Sequence, residues 1–348
     1  MSIKVLAAKL GISVSTVSRA LNDYPDISSH TKHRVRKAAE ELGYHINSRD
    51  RYNTVQKGYC VGIVVPEQND YLLDPSLSAL LRSVVGHLNQ HNYLAQVITL
   101  PRGERELESF EQLIKLGQFD GLMMIRTKIN DQRVNRLLKL NIPFVCYGRT
   151  EKSGQFAWVD MDNTRVFTAA IERLLSLGHR NIAFINAPEQ YTFARDRLLG
   201  LQQTLSRYDF DLPQWRYCCC DFSAEQARQI TVEMLAKDHS ISALVCATDH
   251  IARGVYSACR SLGLQIGVDL SVISCDNAAD AAYMNPGLTT VGLENDLNAG
   301  QLLGETLLKR IHGDPIGELQ ILLTPQLVVR ESDQPTTHLT KTTKGIQS

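Results

Sequence analysis

From residue 59 onward, short apolar, β-branched runs alternate with stretches of helical period, and this limits the fold more than any other feature. The strand candidates are residues 59–65, 93–99, 120–126, 143–147, 181–186, 243–247 and 271–275. Several are continuously apolar, as parallel strands covered by helices on both faces must be. Their number suffices for two doubly wound α/β halves. The change from one half to the other is expected near residues 160–163, with the chain crossing back near 288–293 and again near 322–328. No run approaches eighteen uninterrupted apolar residues, and Lys4 and Lys9 interrupt the apolar N-terminal stretch. Neither a spanning helix nor a secretory signal is expected, so the chain is read as cytoplasmic, with no membrane partner.

The first 46 residues have a different texture, that of three short helices. Ile3, Leu6, Ala7 and Leu10 fall at helical spacing until Gly11 ends the run. Ser13 is a suitable cap for a second helix in which Val14, Val17 and Leu21 recur, leaving Ser15, Thr16, Ser18, Arg19 and Asn22 on the polar side. Ser28 caps a third helix with Val35, Ala39 and Leu42 as its stripe, and Gly43 lies where that helix should stop. Two short helices joined by a Gly-Ile-Ser corner predict a helix-turn-helix. A generic three-helix bundle would not account for the short polar face that carries Arg19.

The formal net charge of zero hides an asymmetry between these parts. Residues 1–57 hold ten Lys/Arg against five acids, hence +5, which leaves −5 for the remainder. A basic module on a mildly acidic body is the layout expected when only the module meets a polyanion. The eight cysteines (60, 146, 218–220, 246, 259, 275) include no C-x-x-C pair and read as buried free thiols, with no metal site and no disulfide framework. No P-loop, G-x-G-x-x-G, G-x-S-x-G or H-E-x-x-H sequence occurs, and His179 and His250 stand apart from any cluster at ligand spacing. An α/β enzyme is disfavoured, and no cofactor is expected.

The run from Ile3 to Asn22 resembles the signature of the LacI/GalR family of transcriptional regulators. Further blocks similar to that family's are Ser28-x-x-Thr31-x-x-Arg34-Val35, Ala38-Ala39-x-x-Leu42-Gly43-Tyr44, Asp162-Asn163, Leu177-Gly178-His179-Arg180 and Arg197-x-x-Gly200. Thr248-Asp249-x-Ile251-Ala252-x-Gly254, the stretch 270–277 and Pro286-x-Leu288-Thr289-Thr290-Val291 follow in order. The resemblance covers residues 2 to about 330. It implies a helix-turn-helix head (1–46), a hinge (47–57) and a periplasmic-binding-protein-like core (58–332) acting as a homodimer. The core would divide into residues 58–160 with 292–320 and residues 161–291 with 321–332, leaving 333–348 as a flexible tail. That tail lacks the leucine heptad of the family's tetramers.

In the head, the start of the second helix is placed to reach base edges in a major groove, which nominates Val14 and Ser15. Arg19 has the length and fork for a bidentate contact to guanine, while Thr16, Ser18, Asn22 and Tyr44 are better placed for phosphates. Thr16 and Ser18 also fit as ordinary surface hydroxyls. In the hinge, Asn53 stands where the family's minor-groove leucine wedge is expected, which implies a shallower kink or the use of Tyr52 as substitute wedge. In the core, the resemblance carries effector contact onto Arg197, Asp276, Asn295 and Thr248, the last in a slot more often Asn. Arg149, Trp158, Tyr191 and Phe193 are additional candidates, since an aromatic face stacks on a pyranose; Trp158 fits a core position equally well. The implied effector is a sugar of the α-galactoside or α-glucoside kind, and the implied function is repression of a carbohydrate-utilisation operon through a pseudo-palindromic operator. A purine or nucleoside effector stays open, because fold does not decide ligand. A sugar-binding protein with no role on DNA is disfavoured by the basic head.

Overall fold

The computed structural model describes residues 3–21, 27–41, 59–67, 74–116, 119–293 and 296–336. The chain divides into two compact units, Met1–Tyr59 and Cys60–Ser348.

In the first unit, α1 (Ile3–Leu10), α2 (Val14–Leu21) and α3 (Ser29–Glu41) enclose a small core of Ala7, Val17, Ala20, Val35, Ala38 and Ala39. The corner after α1 is made by Gly11 in the left-handed region (φ 64°), a conformation that costs glycine little. The Ser13 hydroxyl then accepts the Thr16 N–H at 3.0 Å, and Ser28 does the same for Thr31 at 3.2 Å, so both expected caps are present. Val14, expected on the apolar stripe of α2, is instead 41% exposed, and Ala20 takes the buried position.

The second unit contains two six-stranded sheets. The first has the order β11 (Gln320–Leu323), β5 (Ala157–Met161), β4 (Phe144–Tyr147), β3 (Gly121–Ile125), β1 (Cys60–Pro66), β2 (Leu94–Leu100), and the second the order β12 (Gln326–Val328), β10 (Thr289–Gly292), β9 (Ser271–Asp276), β8 (Ala243–Cys246), β6 (Ile182–Asn186), β7 (Tyr217–Cys219). In the first, β1 (Cys60–Pro66), β2 (Leu94–Leu100), β3 (Gly121–Ile125), β4 (Phe144–Tyr147) and β5 (Ala157–Met161) are joined through α4 (Pro75–Gln90), α5 (Arg105–Leu116) and α6 (Gln132–Leu140). In the second, β6 (Ile182–Asn186), β7 (Tyr217–Cys219), β8 (Ala243–Cys246), β9 (Ser271–Asp276) and β10 (Thr289–Gly292) alternate with α7 (Asn163–Ser176), α8 (Thr192–Arg207), α9 (Ala224–Lys237) and α10 (Asp249–Leu262). After α11 (Asp296–His312), β11 (Gln320–Leu323) returns to the first sheet and β12 (Gln326–Val328) to the second. Every pairing is parallel except β10 with β12. The β3 and β8 strands are buried along their whole length, as continuous apolar runs require.

Two glycines set how closely the helices approach. A Cβ on Gly200 would lie 2.0 Å from the Thr164 carbonyl oxygen, and one on Gly254 would lie 2.2 Å from that of Ala224, so α8 packs on α7 and α10 on α9 through bare backbone. Residues 333 and 334, expected in the flexible tail, are instead held by the core, and residues 337–348 lie outside the described residues. Asp333 is fully buried and bound by Arg173 at 2.6 Å and by the Thr289 hydroxyl; Gln334 donates its N–H to Ser271 Oγ at 3.1 Å. His179 is a structural tie, its ring bridging Ser242 Oγ and the Gln334 carbonyl at 2.9 Å each. The second crossing falls between Leu323 and Gln326, within the expected 322–328 stretch, so β11 carries residues 321–323, assigned above to the second half, into the first sheet. Cys219 corrects the reading of uniformly buried thiols: it is exposed, and all eight cysteines are free. Among the described residues no helix is long and apolar enough to cross a membrane.

Candidate functional site

In the first unit, Val14, Ser15 and Arg19 project outward from α2, while Val17 and Ala20 anchor its other face. Thr16 and Ser18 are half-buried, and the Thr16 hydroxyl lies 2.8 Å from Ser13 Oγ, so it also serves the cap. Arg34 and Lys37 on α3 add exposed cations. A short helix carrying a forked cation and small hydroxyls outward suits recognition of base edges flanked by phosphates. Asn22, Tyr44, Tyr52 and Asn53 lie outside the described residues.

In the second unit, a cleft opens at the carboxyl ends of the strands, where ligands of open α/β sheets bind. Asp276 ends β9 with φ 117°, followed by Asn277 at φ 60°. Such backbone costs roughly 1–3 kcal/mol per residue and persists only where neighbours fix it. The fixing groups are visible. The buried Asp249 carboxylate accepts the Ala278 N–H at 2.6 Å and the Ser274 and Thr290 hydroxyls, while Asn277 donates its N–H to Thr290 Oγ1 at 3.1 Å. Arg330 binds Asn277 Oδ1 at 2.8 Å, and glycine at 292 leaves room for the turn, since a Cβ there would lie 2.5 Å from the Asp276 carbonyl oxygen.

Arg197, one turn into α8, is buried. Its guanidinium donates to Asn163 Oδ1 at 3.0 Å and to the Ala247 carbonyl, and stands 3.5 Å from Asp276 Oδ1. Phe193 lies beneath two guanidinium groups, those of Arg126 and Arg197, each 5.0 Å from the ring centre. Burial pushes the Asp276 carboxyl well above the ordinary aspartate range; Arg197 opposes that, and Asp249 and Asp74 reinforce it. Burial likewise raises Asp160 to about 6 despite its 2.8 Å bond from Arg149 Nε, and Asp249 to about 6 despite three donors.

Of the candidates read from sequence, Phe193, Arg197 and Asp276 meet in the cleft. Thr248 does not line it: its hydroxyl accepts the Ile251 N–H at 3.1 Å and caps α10. Trp158 is half-buried against the first sheet's outer core, with its indole N–H given to the Ser153 carbonyl at 3.0 Å, and is not among the residues that line the cleft. Arg149 sits behind the cleft wall, tying Asp160 to Asp196 at 2.8 and 3.1 Å. Tyr191 lines an adjoining chamber, and Asn295 lies outside the described residues. Sequence reading assigned no contact to Asp74, Arg126, Thr127, Gly148 or Asn163, all of which line the cleft. The available signal was position, for Arg126 and Gly148 follow the ends of β3 and β4.

A family model described as bacterial regulatory proteins, lacI family, matches residues 2–47, and one described as periplasmic binding protein-like domain matches residues 171–332. The HTH-type transcriptional regulator AglR of Rhizobium meliloti (strain 1021) is 30% identical over 340 residues, covering 96% of this chain and 95% of that protein. The chain belongs to the LacI family. The solved CelR–cellobiose complex is similar to this LacI-family chain at 25% identity and a TM-score of 0.73, covering 95% of this chain and 99% of that one. The lac repressor dimer bound to operator and the anti-inducer ONPF shares the fold, with a TM-score of 0.74 at 24% identity over 96% of this chain and 99% of that one. This LacI-family protein is therefore a DNA-binding transcriptional regulator rather than an enzyme, with a helix-turn-helix head and a core of two α/β halves.

Proposed function

We propose that this chain is a cytoplasmic, homodimeric repressor of a carbohydrate-utilisation operon, and that a small sugar in the core cleft sets its operator affinity. The observation that carries the reading is the Asp276–Arg197 pair in a cleft that Phe193 also lines, its ring packed against the Arg197 guanidinium. A carboxylate accepts from two neighbouring hydroxyls, a guanidinium donates, and a phenyl ring covers the apolar face of a pyranose. Similarity to AglR and to a CelR structure holding cellobiose supports the carbohydrate class. Dimerisation is supported by apolar surface on the edge strand β2, where Leu94 is 70% exposed, and on the second half at Tyr283, which is 87% exposed. Two heads on a two-fold axis read a pseudo-palindromic operator. A sugar that binds one arrangement of the cleft more tightly shifts the dimer toward it, and the operator responds only to that difference in affinity.

Thermal unfolding of the full-length protein against a panel of sugars and nucleosides tests the reading. Ligand at 100 times its Kd stabilises the native state by about 2.7 kcal/mol, enough to move the midpoint measurably. A rise with a sugar and none with nucleosides is expected; a rise confined to nucleosides overturns the carbohydrate assignment.

A further inference from the structure

The chain crosses between the core halves after β5, after β10 and after β11. In the sheet orders β5 and β11 stand together at one side of the first sheet, β10 and β12 together at one side of the second, and β2 and β7 at the opposite edges. At those far edges side chains and loops hold the halves together. Arg102, two residues beyond β2, donates to both carboxylate oxygens of Asp221, two residues beyond β7, at 2.7 and 2.8 Å. Next inward, the loop after β3 and the start of α8 form a short antiparallel bridge at Lys128 and Tyr191. In it Thr192 donates its N–H to the Thr127 carbonyl and Ile129 its N–H to the Gln190 carbonyl, both at 3.1 Å. Arg149 also reaches across, to Asp196 at 3.1 Å, but it follows β4, nearer the crossings.

The backbone at the far edge is bent to make these contacts. Arg126 of the first half and Phe222 of the second both sit in the left-handed region, at φ 55° each, and the Arg126 guanidinium lies 4.1 Å from the Phe222 ring centre. A bulky residue holds that conformation only where its surroundings fix it, and such residues gather at clamps and switches. In extended backbone successive side chains point to opposite faces, yet Asp221 and Phe222 both reach the first half, and the turn at Phe222 accounts for this. The Asp221 N–H is held in turn by Gln226 Oε1 at 2.8 Å. We infer that the Arg102–Asp221 pair, with the bridge behind it, is a latch that closes the two halves at the edges away from the chain crossings, and that its strength sets the balance between this closed arrangement and an open one that operator binding reads. The two side chains are 36% and 46% exposed, so salt reaches them. An ion pair so exposed shifts an equilibrium by about two- to fivefold, which tunes a balance and does not lock it.

Hydrogen exchange of the full-length protein, followed by mass spectrometry, tests the latch without any ligand, because the Ile129 and Thr192 amides bond across the gap and exchange when it opens. In Arg102→Ala and in Asp221→Ala, peptides covering 127–129 and 190–192 should exchange about two- to fivefold faster, with those of β1 and β8 unchanged. The paired swap of Arg102→Asp with Asp221→Arg should return them to the wild-type rate. Raising NaCl from about 0.05 to about 0.5 M should speed the same peptides in wild type and not in the alanine variants. Affinity for an operator duplex selected from a random-sequence pool, measured at fixed salt, should move about twofold or more in one direction in both alanine variants and return in the swap. Far-UV circular dichroism verifies that the variants fold. Unchanged exchange in folded variants, a rise that extends equally to β1 and β8, a wild-type rate indifferent to salt, or a swap that behaves like the single variants overturns the latch. Faster exchange with operator affinity unchanged overturns its control of DNA binding.

Discussion

Replacing Asp276 by Asn keeps the shape of the side chain and removes its charge. The fold should not suffer. The native carboxyl is pushed upward by burial and by Asp249 and Asp74, so a neutral amide relieves a cost, and Arg197 keeps its bonds to Asn163 and the Ala247 carbonyl. The sugar should suffer. A hydrogen bond to a charged group contributes about 1.5–3 kcal/mol, which at 1.36 kcal/mol per factor of ten weakens effector binding roughly 10- to 150-fold. Operator binding without sugar should change less than about twofold, since the effector adds only the difference in its affinity for two states. The assay is anisotropy of a labelled operator duplex titrated with sugar, read as the sugar concentration at half response. An unchanged midpoint, or loss of sugar-free operator binding by a folded variant, would show that Asp276 acts on structure and not on ligand.

Arg19→Ala should abolish the preference for operator over random duplex while salt-sensitive binding to both persists, because one bidentate contact carries about 1–3 kcal/mol of discrimination and the remaining cations carry counterion release; competition binding at fixed salt checks it, and an intact preference refutes it. Gly200→Ala, whose new methyl would lie 2.0 Å from the Thr164 carbonyl, should force α8 from α7 and destabilise the core by about 1–3 kcal/mol, lowering the thermal midpoint. Asp160 has its folded-state value raised from 3.8 to about 6, so the native state holds more protons than the unfolded chain between those values and the group loses stability as pH rises through the window. Asp160→Asn should therefore gain on wild type by up to about 3 kcal/mol between pH 4 and 7 in urea unfolding; a constant difference contradicts the buried assignment.

The sequence made legible whatever depends on near neighbours. Caps at Ser13 and Ser28, the turn at Gly11 and the apolar runs that became β1, β3, β6, β8 and β9 were readable because their causes lie within a few residues. The β5 strand, Ala-Trp-Val-Asp-Met, mixes a buried carboxylate into its run, and β7 is three residues long, so neither announces itself by period. The cleft was legible only in part. Arg197 was nominated by its own motif and Phe193, on the same helix, by its aromatic ring, whereas Arg126 and Asp74 reach the cleft through sheet order, bringing together segments some 200 residues apart in sequence. Thr248 shows the converse: a threonine before a helix is a cap first, and its hydroxyl accepts the Ile251 N–H away from the residues that line the cleft.

The central claim is that a sugar held in the core changes what the head does on DNA. The most direct measurement selects an operator duplex from a random-sequence pool with the full-length protein, then follows affinity for that duplex and for a scrambled one at fixed salt while each sugar is added. The account predicts that at least one sugar changes operator affinity tenfold or more and leaves the scrambled duplex within about twofold, and that Asp276→Asn shifts the response to higher sugar concentration. A sugar that raises the thermal midpoint yet leaves operator affinity untouched would contradict it.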